Sequence, residues 1–206
     1  MRAFKTVFIN RHIDYAVSYA SKAFANVAMY EVAAQEDIQL DVVSGGEIHT
    51  ALAANFPMAH VSFNGNNKSA EELSMAIDHD LGTIILDNFY EINLLHELLV
   101  ERNKKQNVLL RITPGVEAHT HDYISTGQTD SKFGFDVNSG QAQTALEQTL
   151  ADPYLNVWGV SAHIGSQIFD VTGFQMAAAK LFDLVHEWGF EPQVINTGGG
   201  FGIRYT

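Results

Sequence analysis

Lys22 closes the run Tyr19-Ala20-Ser21-Lys22, directly after an apolar stretch. A primary amine leaving such a stretch can form a Schiff base with a carbonyl once it is partly desolvated. A solvated lysine at a strand exit would look the same. In Ala162-His163-Ile164-Gly165-Ser166-Gln167, an imidazole able to stack on a planar ligand stands beside a hydroxyl able to meet a phosphate. A lone histidine there is more often structural than catalytic, and the small residues Gly165 and Ser166 shift the reading modestly toward a ligand. Asn196-Thr197-Gly198-Gly199-Gly200-Phe201-Gly202 offers consecutive glycines, whose backbone can approach a phosphate and turn its N–H groups on it. No Lys-Ser/Thr pair follows and the spacing is not G-x-G-x-x-G, so this is neither a P-loop nor a dinucleotide fingerprint. Arg111 supplies a fixed positive charge, and Asp41 opens Asp41-Val42-Val43-Ser44-Gly45-Gly46-Glu47. Either alone reads as an ordinary ion-pair partner. His119 and His121, with Asp122, could be read as metal ligands, but the pair stands two apart in a loop with no third ligand evident, so no metal site is expected. Trp158 and Trp188 read as packing residues.

These groups need a scaffold, and the composition supplies one. The 206 residues are 46% hydrophobic and 17% charged, a globular balance with enough length for a sizeable core. A formal charge of −12 argues against a nucleic-acid partner, which requires clustered Lys and Arg. Any anionic ligand must therefore be held by backbone amides and a few local cations. There are no cysteines, hence no disulfides or thiolate metal sites. No apolar run reaches the roughly 18 residues of a membrane span, and the first residues form neither a signal peptide nor a lipidation motif. The expectation is a soluble, cytoplasmic protein with no membrane partner.

Short apolar runs alternate with helical patterns, as in βα repeats on a parallel sheet. Strands are predicted at Ala16–Tyr19, Leu40–Val43, Val61–Phe63, Thr83–Leu86, Val108–Ile112, Val157–Ala162 and Gln193–Asn196. Helices are predicted near Ala23–Gln35, Glu47–Ala54, Ala70–His79, Phe89–Lys105, Gln141–Leu150 and Phe174–Trp188. Capping boxes are expected at Ser44/Glu47, Ser69/Glu72 and Asn88/Glu91. Seven strands suggest an α/β fold, an incomplete (β/α)8 TIM-type barrel, with a doubly wound open sheet as the rival. In such a barrel the candidate residues all fall at the C-terminal ends of strands, where barrel active sites lie. The connection Thr113–Asn138 is long enough to be a lid or binding loop.

Taken together, the chain resembles the fold-type III enzymes of pyridoxal 5'-phosphate (PLP), of the alanine-racemase-like barrel type, and is most similar to the diaminopimelate decarboxylase family. The resemblance rests on Tyr19–Lys22, Asp41–Glu47, Gly65-Asn66-Asn67-Lys68-Ser69, Arg111–Gly115, His121–Gly127, Ser131–Gly134, His163–Gln167 and Gly198–Gly200, in family order. It implies PLP on Lys22, His163 stacked on the ring, and the phosphate held by Ser166, Gly198, Gly199 and Gly200. Asp41 and Arg111 would tune hydrogen bonding around the cofactor, and all would converge on one mouth. The implied reaction is decarboxylation of meso-diaminopimelate to L-lysine and carbon dioxide, in lysine biosynthesis. The whole protein would be a homodimer, with Lys132 near the subunit interface.

Residues 1–206 are expected to be a partial PLP-binding barrel domain, truncated at both ends. The eighth strand with its Glu-Pro-Gly-Arg motif and the C-terminal β domain are read as absent, so little activity is expected of the chain alone. The alternatives are a non-catalytic single-domain PLP carrier, an ornithine or arginine decarboxylase, an alanine racemase, and a cofactor-free Schiff-base aldolase.

Overall fold

The computed structural model describes residues 2–12, 14–115 and 133–204. The chain divides into two compact units, Met1–Ile84 and Ile85–Thr206. The first contains α1 (Arg2–Ile9), β1 (Ser18–Ala20), α2 (Val27–Gln35), β2 (Gln39–Val42), α3 (Gly45–Ala53), β3 (Val61–Phe63), α4 (Ala70–Asp78) and the start of β4 (Thr83–Leu86). The second takes the end of β4 and continues through α5 (Phe89–Arg102), β5 (Gln106–Thr113), β6 (Phe135–Asp136), α6 (Gln141–Ala151), β7 (Leu155–Ser161), α7 (Val171–Glu187) and β8 (Val194–Asn196).

Every strand pairing within the units is parallel. In the first unit β1, β2, β3 and β4 neighbour one another in chain order, with Ala20, Asp41 and Ser62 in register. In the second, β5 pairs β7 and β7 pairs β8, aligning Arg111, Ser161 and Asn196. A doubly wound sheet reverses its strand order at a switch point. Among the described strands neither unit contains such a reversal, in keeping with the incomplete (β/α)8 class over its rival.

Burial follows the strand period. Leu40 and Val42 are fully buried while Gln39 and Asp41 are half-buried, so one face of β2 meets the core and Asp41 lies on the other. Ile48 and Phe63 complete that core, each worth about 1.5–3 kcal/mol when fully removed from water.

Several boundaries depart from the sequence expectation. Val27 rather than Ala23 begins α2, because Ser21–Ala23 forms a separate 3-10 turn and Asn26 caps the helix by accepting from the Met29 amide at 2.8 Å. Asp170 caps α7 through the Thr172 amide at 2.8 Å, starting it at Val171 rather than Phe174. The connection after β5 includes β6, which pairs Ile112 with Phe135. Of the three expected capping boxes, only Ser69/Glu72 is complete. Ser44 and Asn88 accept from their N3 amides, but the Glu47 and Glu91 carboxylates accept from Val43 and Asp87, one residue before the cap.

Candidate functional site

In the first unit the site begins at the exit of β1. The Phe24 amide donates to the Ser21 carbonyl at 3.0 Å, closing a tight turn that buries Ser21 and leaves Lys22 exposed. Among the described residues, the Lys22 ammonium has no hydrogen-bond or ion-pair partner. Nζ is sterically open to a carbonyl, but its exposure leaves it solvated, without the partial desolvation expected from sequence. Asp41 Oδ1 lies 3.1 Å from Ser62 Oγ, which is also 3.2 Å from the Leu40 carbonyl. Behind the turn, Ser21 donates to the Glu47 carboxylate, and Tyr30 is fully buried. Burial pushes the Tyr30 phenol above its ordinary value. Ser21, whose hydroxyl is committed to Glu47, offsets part of that shift, and the charge of Glu47 adds to it.

In the second unit the exits of β7 and β8 form one assembly. The Ala162 amide donates to Asn196 O, and Ile168 and Gly200 join through Ile168 N–H to Gly200 O, both at 2.9 Å. The glycine turn lies so close to its neighbour that a Cβ on Gly198 would stand 2.3 Å from Ala162 O and 3.1 Å from His163 Cα. A Cβ on Gly200 would stand 2.0 Å from Gly165 O. Both glycines also have positive φ, +77° and +97°, which L side chains rarely adopt. Gly199 differs, since no atom lies within 4 Å of where its Cβ would be.

His163, Ser166 and Gly198–Gly200 are therefore brought together. The half-buried His163 backs onto Gly198, and the Ser166 side of its loop faces Gly200. The amides within the turn divide in use. Gly198 N–H donates to Asn196 Oδ1 at 2.8 Å, so its role is conformational. Among the described residues, the Gly199 and Gly200 amides meet no acceptor, and the exposed Ser166 hydroxyl has no partner. Two such N–H groups and a hydroxyl on neighbouring strand exits, with open space at the Cβ position of Gly199, are donors of the kind a phosphate requires. The amide engagement of Gly198 was invisible in the sequence, because Asn196 reads only as a strand-end residue.

Arg111 is buried in β5, with Nη1 3.5 Å from Asp87 Oδ1 and its guanidinium 4.5 Å from the centre of the Phe133 ring. Asp87 is itself buried and was not singled out from the sequence. Its signal was its place, immediately after β4 and before the cap of α5. The residues His119, His121, Asp122, Ser131 and Lys132 lie outside the described residues. Among the described residues, no group of three His, Asp or Glu side chains could hold a metal ion.

The comparisons with known proteins agree with a PLP-type scaffold. A family model described as "Pyridoxal-dependent decarboxylase, pyridoxal binding domain" matches residues 1–206. The chain is 56% identical over 209 residues to the diaminopimelate decarboxylase of Bacillus methanolicus, covering 100% of this chain and 48% of that protein. The same figures hold for the diaminopimelate decarboxylase of Bacillus subtilis strain 168. Among solved structures, the chain is similar to diaminopimelate decarboxylase from M. jannaschii in co-complex with L-lysine, at TM-score 0.90 and 39% identity, over 100% of this chain and 48% of that one. The chain thus spans about half the length of the curated relatives it matches.

Proposed function

On the premise that the chain belongs to the pyridoxal-dependent decarboxylases and spans their pyridoxal binding domain, we propose that it holds PLP for the decarboxylation of meso-diaminopimelate to L-lysine and carbon dioxide. Lys22 Nζ is the amine for the cofactor's aldehyde, and Ser166 with the Gly199 and Gly200 amides receives its phosphate. His163 would stack on the pyridine ring, while Asp41 and Arg111 would adjust hydrogen bonding around it. When bound, PLP supplies the electron sink for loss of the α-carboxylate. The chain's own groups orient the cofactor and hold the phosphate without a cluster of cations. A substrate amine would have to take the place of Lys22 Nζ, leaving that side chain as a free amine beside the bound substrate.

The observation that supports this reading is the pair of amides at Gly199 and Gly200, which meet no acceptor among the described residues, on the turn that packs against the Ser166 loop. The substrate rests on the similarity to diaminopimelate decarboxylases, one of which was solved with L-lysine. A small amino acid is the corresponding ligand class. The reading also includes residues 1–206 as one PLP-binding domain of a longer homodimeric protein, in the cytoplasm. No described helix is long and apolar enough to cross a membrane.

The test is to add PLP, reduce with borohydride and map the pyridoxyl group by peptide mass spectrometry. Modification of Lys22, abolished by Lys22→Ala, is expected. Modification elsewhere with Lys22 untouched would overturn the cofactor assignment. With PLP loaded, meso-diaminopimelate is expected to suppress trapping at lower concentration than ornithine or arginine. Equal suppression by all three would remove the substrate assignment.

A further inference from the structure

Three glutamates share one sequence pattern, each three residues after a helix cap; Glu47 and Glu91 both accept from the amide one residue before the cap, while Glu47 and Glu72 also reach into the preceding connection or helix. Glu91 Oε2 accepts from the amide of Asp87, in its own βα loop, at 3.2 Å. Glu72 completes its own capping box through Oε2 and with Oε1 accepts from the Gly45 amide at 2.7 Å, at the start of the preceding helix. Glu47 accepts from the Val43 amide at 2.7 Å, and with the same oxygen from the Ser21 hydroxyl, in the preceding βα connection. Ser21 is fully buried and is the residue before Lys22.

The geometry points to Glu47 as the positioning residue for Lys22, acting through Ser21. This inference rests on the proposed role of Lys22 as the PLP amine. A 3-10 turn of three residues has little intrinsic stability, and one backbone hydrogen bond, Phe24 N–H to Ser21 O, closes it. A carboxylate that ties the buried hydroxyl of its first residue to the Val43 backbone fixes the turn against the end of β2. Lys22 then leaves that turn in one direction instead of many. Glu72 extends the arrangement by one step, holding the helix that carries Glu47. Gly45 makes room for it, since a Cβ there would lie 3.2 Å from Glu72 Cγ. Tyr30 packs behind the latch, its hydroxyl buried with no partner at hydrogen-bonding geometry among the described residues.

Two measurements on Ser21→Ala, Glu47→Ala and Glu47→Gln test this. The first is amide hydrogen exchange at Phe24 without PLP, which reads closure of the turn. Exchange is expected to accelerate about tenfold or more in Ser21→Ala and Glu47→Ala, a loss of the order of one hydrogen bond. Glu47→Gln, whose amide oxygen can take the place of Oε2 and accept from both Val43 and Ser21, is expected to stay within about threefold of the parent chain. The second is PLP affinity and the fraction trapped on Lys22 against other lysines, which should fall in the two alanine variants and be largely restored in Glu47→Gln. A general loss of folding would accelerate exchange in every element, so amides of β7 serve as the internal reference. Unchanged Phe24 exchange and Lys22 selectivity in both alanine variants would overturn the inference. Faster Phe24 exchange in a chain whose parent never traps PLP on Lys22 would show a latch unconnected to PLP, overturning both this inference and the cofactor assignment. The two failures are therefore distinguishable.

Discussion

The Gly134 amide donates to Asp87 Oδ2 at 2.9 Å, tying residues 47 positions apart. The other oxygen of the same carboxylate faces Arg111, and the Asp87 amide is held by Glu91. One buried side chain thus holds a cation of β5 and the return of the chain into β6.

Asp87→Ala should therefore be costly. It removes the acceptor of Gly134 and leaves Arg111, with only 10% of its side chain exposed, facing no Asp87 carboxylate. A loss of about 3 kcal/mol is expected in urea unfolding, the scale for breaking a buried pair by deleting one partner. Asp87→Asn keeps an acceptor for Gly134 and should lose less. Equal stability of parent and Asp87→Ala would show that the contact contributes nothing.

The glycine turn permits a cleaner separation of folding from binding. Gly200→Ala would drive a methyl into Gly165 O and force a side chain into positive φ, so its melting temperature should fall by several degrees. Gly199→Ala meets open space and should alter stability by no more than about 1 kcal/mol. Because that added methyl stands beside the proposed phosphate, PLP affinity should nonetheless drop. A Gly199→Ala chain that binds PLP like the parent would move the phosphate away from this turn.

Tyr30 gives a pH dependence with a defined sign. Its folded-state phenol titrates above the ordinary value of about 10, chiefly through burial. The contribution is intact below that value. As pH rises past it, the unfolded chain loses its proton first, and stability falls until the folded phenol titrates. Tyr30→Phe should flatten part of this alkaline decline in pH-dependent melting curves. Tyr19, shifted in the same direction by burial, should retain the remainder. An unchanged decline in Tyr30→Phe would contradict the assignment.

Glu72→Ala removes one arm of the complete capping box and the acceptor of Gly45. A loss of about 1–2 kcal/mol is expected, at the upper end of helix-cap effects. Circular dichroism with chemical denaturation measures it, and a loss below about 0.3 kcal/mol would show both bonds to be dispensable.

The strands that position the site were legible where an apolar run was short and bounded. Val61–Phe63 and Thr83–Leu86 are observed as expected from sequence. Elsewhere local signals competed. Ala16 and Val17 are apolar enough to extend a strand, but pairing with β2 begins only at Ser18. The two residues of β6 carry no periodicity, and only pairing with β5 makes them a strand. Arg2–Ile9 is not among the helices predicted from sequence, yet it forms one whose Arg2 and Lys5 pair with Glu36 and Asp37. The same limit governs the site. Spacing announced that Glu47 could turn back toward its helix start, but a donor 26 positions earlier, Ser21, decides where it goes. Long-range donors have no signature in local pattern. That is also why Asp87 escaped notice while the glycines, whose chemistry is local, did not.

The anchoring on either side of residues 116–132 has a consequence for engineering. Thr113 Oγ1 donates to Phe133 O at 2.6 Å, β5 pairs with β6, and Asp87 holds Gly134. With both flanks stitched to β5, the distance between residues 115 and 133 is set by that strand and its partners. Any redesign of β5 therefore moves the two flanks together, and a substitution that loosens the strand releases both.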